Sequence, residues 1–259
     1  MKKTALITGA SSGIGYEYSK IFASHGYDLV LVARNEEKLK AVKAELEGQH
    51  DISAFVIAKD LSQKDAAQEI FEQTEHEGIE VNVLVNDAGF GDYGRYADAD
   101  WKKQYDMVQV NVLALMQLTK LFLPQMLQRK EGKILNMASI AAFSTGPYMS
   151  VYYASKSFVL SFSDSLATEL KGSGVTVTAV CPGPTDTGFE KVAGSGTRKL
   201  FDTTKRATPD KVALFAYRAM MRGTIIAIPG LKYKVTAVGQ RFLPKSIVRA
   251  IALKLQSED

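Results

Sequence analysis

Short runs of β-branched and apolar residues alternate with helix-length segments along most of the chain. The apolar runs are typical of strands buried on both faces of a parallel sheet. Asn35 before Glu36 and Glu37, and Thr208 before Pro209, are typical helix starts. Strands separated by helices predict an α/β fold with a doubly wound parallel sheet and helices on both faces. About seven strands are expected, at Thr4–Thr8, Asp28–Ala33, Ile52–Ala58, Val81–Asn86, Lys133–Ala138, Val175–Val180 and Thr224–Ile228.

Composition is that of an ordinary globular protein. Of 259 residues, 46% are hydrophobic and 23% are charged, which excludes a disordered or fibrous chain. No linker, repeat or low-complexity tract divides the sequence. We therefore predict a single domain over residues 1–259, with a short helical extension over about 231–256.

Cysteine and histidine usage limits the environment and the chemistry. The single cysteine, Cys181, excludes an internal disulfide and fits a reducing compartment. No run approaches the roughly 18 apolar residues of a membrane span, so we expect a cytoplasmic protein. His25, His50 and His76 lack the spacing of metal ligands, and we expect no metal site.

The C-terminal segment carries the whole formal net charge of +4, because six basic residues follow Gly230 and only two acids do. It lacks the dense basic patch or recognised motif of a nucleic-acid binder, so we expect no nucleic-acid partner. Ile247, Val248, Ile251, Ala252 and Leu255 recur at helical spacing between basic residues. Such a helix could lie on an anionic membrane. We favour the alternative that its apolar stripe covers a pocket or a neighbouring subunit.

A glycine-rich turn lies where the first strand runs into the first helix. Backbone N–H groups at such a turn approach a pyrophosphate closely, and the helix N-terminus favours negative charge. The spacing G-x-x-x-G-x-G differs from the general dinucleotide fingerprint, so the turn alone is also compatible with a tight turn that binds nothing. Its residues are Gly9, Ala10, Ser11, Ser12, Gly13, Ile14 and Gly15.

Motifs further along the chain indicate that the glycine turn binds a cofactor. They follow in a fixed order: Asn86-Asp87-Ala88-Gly89, Asn111, Ser139, Tyr152 with Lys156, and Pro182-Gly183. With these residues the chain resembles the short-chain dehydrogenase/reductase family over nearly its whole length. The resemblance implies a Rossmann-like fold, a nicotinamide cofactor, a small-molecule carbonyl or alcohol substrate, and a homodimer or homotetramer.

The residue types suit carbonyl reduction, which needs a hydride at carbon and a proton at oxygen. Tyr152 is the predicted proton donor, and Lys156, one helical turn later, places a positive charge that should favour the phenolate. Ser139 can donate to the substrate oxygen and polarise the carbonyl. The neighbouring Tyr153 has only Ser157 at the corresponding position. The resemblance implies that Lys156 also holds the nicotinamide ribose and that Asn111 anchors a water in a proton relay.

Arg34, at the end of the second strand, favours NADP(H) over NAD(H), because an arginine there accommodates a 2′-phosphate and no acid occupies the position. Ser12 departs from this pattern, since some NADP-using members of the family have a second basic residue just before the middle glycine of the turn. The resemblance also implies an adenine contact for Asp60 and Leu61, although Asp60 could instead only cap the following helix. The remaining cofactor contacts are implied for Asn86, Ala88, Gly89, Pro182, Gly183, Thr185 and Thr187.

Four apolar residues are expected beside the nicotinamide: Phe90, Phe143, Met149 and Phe189. An apolar pocket with one polarising centre suits a hydrophobic ketone, aldehyde or 3-oxoacyl substrate. Two other hypotheses stay open: a non-catalytic NADP-binding regulatory protein, and a membrane-surface reductase of lipid-like carbonyls.

Overall fold

The computed structural model describes residues 2–189, 193–194 and 206–256. Within them, seven parallel strands form one sheet in the order β3-β2-β1-β4-β5-β6-β7. This strand order is that of the doubly wound Rossmann fold, with the topological switch point between β1 and β4. The strands are β1 Thr4–Thr8, β2 Asp28–Ala33, β3 Ala54–Ala58, β4 Val81–Asn86, β5 Gly132–Met137, β6 Val175–Val180 and β7 Ile226–Ala227.

Helices cover both faces of the sheet, as the sequence predicts. On one face, Phe22, Leu39 and Tyr217 belong to one apolar core, and on the other Leu118 and Phe122 belong to a second. The α-helices are α1 Gly13–Ser24, α2 Glu36–Gln49, α3 Ala66–His76, α4 Trp101–Val108, α5 Leu115–Arg129, α6 Ser150–Glu169, α7 Pro209–Met221, α8 Leu231–Gly239 and α9 Lys245–Gln256.

The predicted strands are confirmed, and two are shorter than expected. β3 begins at Ala54, because the chain before it bends and Ile52 N–H bonds to the His50 carbonyl at 2.9 Å. The last strand keeps only Ile226 and Ala227, which pair with the end of β6.

The segment Trp101–Arg129 contains α4, a π-helical stretch over Gln109–Ala114, and α5. By length and composition alone it could cross a membrane, which corrects the expectation that no such stretch exists. Half of its most apolar window is buried, and Leu118 and Phe122 of α5 lie in the core. Because core helices of soluble proteins pass the same test, the finding is weak support for a span.

The C-terminal extension forms the two predicted helices, α8 and α9, joined by a turn over Gln240–Phe242. It contacts the sheet domain through Tyr233, whose ring packs on Gly183. A Cβ on Gly183 would lie 2.5 Å from that ring. Ala237 and Ala252 are also buried.

Candidate active site

A cavity of about 1360 Å³ lies at the carboxyl ends of the strands, where ligands bind in doubly wound sheets. Most of the predicted site residues line it together. Those of the cofactor set are Gly9, Ser11, Ser12, Gly13, Ile14, Arg34, Asp60, Leu61, Ala88, Gly89, Pro182, Gly183, Thr185 and Thr187. Ser139, Tyr152 and Lys156 join them, with the apolar Phe90, Met149 and Phe189.

Two predicted contacts are corrected by position. Asn86 is buried below the cavity, and its Nδ2 donates to Asn136 Oδ1 at 2.9 Å, so its amide holds neighbouring strands together. Phe143 packs against a small apolar cluster that contains Leu115 and Val159 and is absent from the cavity wall. Gly15 and Asn111 also lie behind the wall, where they shape it.

The glycine turn fits a dinucleotide pyrophosphate. Gly9 and Gly13 have φ angles of +74° and +59°, which favour glycine. A Cβ on Gly15 would lie 2.4 Å from the Gly9 carbonyl oxygen, so any side chain there would force the turn open. The Ser12 side chain makes no capping bond to α1, and the first backbone N–H groups of the helix have no intrahelical partners. The turn therefore offers a cradle for an anion.

Two basic side chains lie on the cavity wall beyond the turn. Arg34 directly follows β2, and Asn35 caps α2 by accepting from Lys38 N–H at 2.9 Å, which fixes Lys38 one helical turn after Arg34. Within the described residues neither side chain forms an ion pair. Sequence reasoning missed Lys38, although its i+4 spacing from Arg34 across a recognisable cap could have indicated it.

Asp60 is not the cap of a helix, so one of its two predicted roles is excluded. Its Oδ1 accepts from Ser62 N–H at 2.9 Å, within a turn that precedes α3. That helix begins only at Ala66, with Asp65 at the cap position. Asp60 therefore shapes the cavity wall, and the adenine contact stays a prediction.

Ser139, Tyr152 and Lys156 meet at the other end of the cavity. The buried Ser139 hydroxyl accepts from Ala141 N–H at 3.1 Å, which leaves its own hydrogen available for donation. Lys156 Nζ donates to the Met137 carbonyl oxygen at 2.7 Å and lies 5.9 Å from the Tyr152 ring centroid. The triad is thus anchored on β5 and α6.

Burial dominates the electrostatics of this cluster. It raises the pKa of Tyr152 to about 12, and the nearby Ser139 side chain acts in the opposite direction. Burial also lowers the pKa of Lys156 to about 8, against the opposing effects of Asp87 and Cys181. The expectation of a lowered phenol pKa is therefore wrong for this structure, because burial sets the net direction of the shift. Tyr152 is held in its protonated form at neutral pH.

Asp87 lies between the glycine turn and the triad. A Cβ on Gly9 or Gly15 would lie 3.2 or 2.9 Å from its Oδ2. Burial raises the pKa of Asp87 to about 7, while Lys156 and the Gly15 backbone N–H lower it. A titratable carboxyl thus adjoins both the pyrophosphate cradle and the catalytic lysine.

Asn111 lies in the π-helical stretch, a feature frequent at functional sites. Its Oδ1 accepts from Phe90 N–H at 3.1 Å, and its Nδ2 donates to the Phe90 carbonyl at 2.9 Å. Nδ2 also donates to Ser155 Oγ at 3.1 Å. Asn111 thereby fixes the loop after β4 to α6, and its role with a water stays a prediction.

The substrate end of the cavity is apolar. The Phe189 ring lies 5.2 Å from the Tyr152 ring between centroids. Its edge would be 2.6 Å from a Cβ on Gly91, so glycine makes room for it. Tyr153 also lines the wall and packs on Gly146. The C-terminal extension also lines the cavity: Val248 and Ile251 of its apolar stripe do so, as the favoured alternative allows, and Tyr233 and Leu243, which sequence reasoning did not assign, join them.

The described residues contain no cluster of His, Cys, Asp or Glu that could hold a metal ion. Cys181 is buried, and burial raises the pKa of its thiol to about 12. A thiol in that state is unreactive.

The short chain dehydrogenase family model matches residues 3–197. A short chain dehydrogenase of Pseudocercospora fijiensis is 39% identical over 183 residues, covering 70% of this chain and 59% of that protein. The very-long-chain 3-oxoacyl-CoA reductase of Anas platyrhynchos is 36% identical over 195 residues, covering 73% of this chain and 62% of the relative. The matches thus span only about three fifths of these relatives.

Among solved structures, a short-chain dehydrogenase from Sphingobium yanoikuyae in complex with NADPH superposes with a TM-score of 0.84 at 28% identity. The likeness covers 99% of this chain and 98% of that one. This chain therefore belongs to the short-chain dehydrogenase family and is an oxidoreductase.

Proposed function

We propose that the protein is an NADPH-dependent reductase of hydrophobic carbonyl compounds, with Tyr152 as the proton donor. The observation that carries the proposal is the placement of Ser139, Tyr152 and Lys156 in the same cavity as the glycine turn. A protonated Tyr152 at neutral pH is suited to reduction, since the developing alkoxide needs a proton.

Each side chain has a separate task in this proposal. Bound NADPH supplies the hydride. The Ser139 hydroxyl donates a hydrogen bond to the substrate oxygen, and Tyr152 transfers its proton to that oxygen. Lys156, charged at neutral pH, stabilises the phenolate left behind and holds the cofactor ribose. Asn111 holds the wall on which these groups stand and anchors a water that returns protons.

The preference for NADPH rests on Arg34 and Lys38. Both line the cavity beyond the glycine turn, at the position where the second strand of this fold meets the adenosine ribose. Two cations favour a 2′-phosphate and would leave a ribose hydroxyl without a carboxylate partner.

The substrate class rests on the apolar wall. Phe90, Met149 and Phe189 line the same cavity as Tyr152, and Leu243, Val248 and Ile251 extend its apolar lining. A ketone or 3-oxoacyl thioester with a long apolar chain would bury that chain here. The named activity of the Anas platyrhynchos relative is compatible with this class.

The test is NADPH oxidation against hydrophobic ketones, aldehydes and 3-oxoacyl thioesters, with Tyr152→Phe and the matched control Tyr153→Phe. We expect Tyr152→Phe to lose at least about a thousandfold in kcat while the Kd for NADPH stays within about twofold. Tyr153→Phe should keep most of the activity. Tight NADPH binding without turnover of any compound would favour the regulatory alternative.

We also propose a cytoplasmic homodimer or homotetramer. Trp101, Tyr105 and Leu113 of the segment Trp101–Arg129, and Phe158 of α6, are exposed apolar side chains. Helices with such faces pair across two-fold axes in isologous interfaces.

A further inference from the structure

The outer face of the C-terminal extension is apolar and exposed. Leu231, Val235 and Phe242 are 77%, 62% and 82% exposed. Leu231 and Val235 lie four residues apart on one face of α8, and Phe242 lies in the turn that follows it. Tyr233 and Ala237 lie on the opposite side and face the protein. The extension therefore has an inner face that packs against the protein and an outer apolar face that the described residues leave uncovered.

The same segment is uniformly basic. Every charged residue between Gly230 and Gln256 is a lysine or an arginine: Lys232, Lys234, Arg241, Lys245, Arg249 and Lys254. Within the described residues, Lys234, Lys245 and Lys254 form no ion pair with an acid. Their charges are available to an external anionic partner.

Two partners could cover this face, a second copy of the chain or a lipid bilayer, and the charge of the segment distinguishes them. A second copy of the chain, joined through an isologous contact, would set six cations against six others. Like charges at such short range repel, and salt screens them only in part. An anionic bilayer accepts both features, since apolar side chains enter the headgroup boundary and cations attract acidic lipids. We propose that this outer face, formed by α8, the turn and α9, docks the protein onto an anionic lipid bilayer.

The docking face continues into the cavity. Leu243 and Ile251 are exposed to solvent and also line the cavity, so apolar surface extends from the outer face to the interior. If the proposed reductase function holds, on which this step alone rests, an apolar substrate passes from the bilayer to Tyr152 along that surface.

Vesicle co-sedimentation without substrate tests the docking separately from catalysis. The probes are phosphatidylcholine vesicles, pure or with about 30% phosphatidylglycerol. The variants are Val235→Ser/Phe242→Ser for the apolar side chains and Lys234→Glu/Lys245→Glu for the charges. Matched controls carry the same changes elsewhere: Leu214→Ser/Met221→Ser on α7, and Lys64→Glu/Lys171→Glu. NADPH affinity and thermal unfolding show that each variant is folded.

We expect the wild type to bind the anionic vesicles only, and to bind them less at high salt. Binding should be at least about tenfold weaker in both outer-face variants and unchanged in both controls. Three results would overturn the proposal: no binding to anionic vesicles at low salt, equal losses in the controls, or equal binding to neutral vesicles. A lower oligomer mass for Val235→Ser/Phe242→Ser in light scattering would also overturn it, because the occupant would then be a second copy.

Discussion

Replacing the two cations on the adenosine side of the cavity should change which nicotinamide the protein prefers. Arg34 and Lys38 are exposed on the wall and form no ion pair within the described residues, so neither is committed to another partner. A hydrogen bond to a charged group contributes about 1.5 to 3 kcal/mol, and exposure favours the lower end of that range.

Since about 1.4 kcal/mol is a factor of ten, Arg34→Ala should raise the Kd for NADPH about tenfold. Arg34→Ala/Lys38→Ala should raise it about a hundredfold. The Kd for NADH should change less than about threefold, because NADH has no phosphate for these side chains to bind. Added salt should weaken NADPH binding in the wild type more than in the double variant.

Titration of nicotinamide fluorescence with both cofactors measures each Kd directly. Lys40→Ala is the matched control, because Lys40 lies on the same helix, pairs with Glu36 at 2.9 Å and is absent from the cavity wall. Equal losses for NADH and NADPH would show that the two cations only stabilise α2. A wild type that binds NADH as tightly as NADPH would refute the reasoning outright.

Two further predictions concern the triad and the assembly. Burial lowers the pKa of Lys156 and the Asp87 carboxylate raises it, with a net value of about 8. In the wild type kcat/KM should therefore fall above about pH 8, as Lys156 loses its proton, and Asp87→Asn should move this fall to lower pH. A pH profile that stays in place or moves to higher pH would contradict the coupling. Phe158→Glu should reduce the mass measured by light scattering at micromolar concentration, whereas Leu214→Glu should not, and a monomeric wild type would count against the interface.

The sheet was predictable because its strands are rich in β-branched and apolar residues, most of which are buried. Glycines, prolines and caps then fixed most boundaries to within two residues. Tyr152 and Lys156 were recognisable because one helix sets their spacing, and the glycine turn because one turn sets its spacing, whereas Ser139 precedes that helix and was assigned through the family resemblance. Local rules of this kind act over a few residues and need no knowledge of distant contacts.

Electrostatics was less predictable, since it depends on which groups the fold surrounds with apolar neighbours. Lys156 is four residues from Tyr152 in sequence, yet its ammonium bonds to the Met137 carbonyl and does not offset the burial of the phenol. Asn86 follows the family pattern in sequence, but its side chain turns toward Asn136 in the sheet. Both outcomes depend on contacts between separate elements of the fold, which spacing alone does not reveal.

The reaction and the substrate are specified by different parts of the chain. The family model ends at residue 197, and the residues proposed to carry the proton transfer all lie before that point. Lys232, Tyr233, Leu243, Val248 and Ile251 lie after it and complete the cavity. Family membership therefore indicates the chemistry but leaves the substrate open, because the wall that would hold the substrate chain belongs to the extension. Substitutions at Val248 and Ile251 should accordingly change KM among substrates of different chain length and leave the kcat of the best substrate nearly constant.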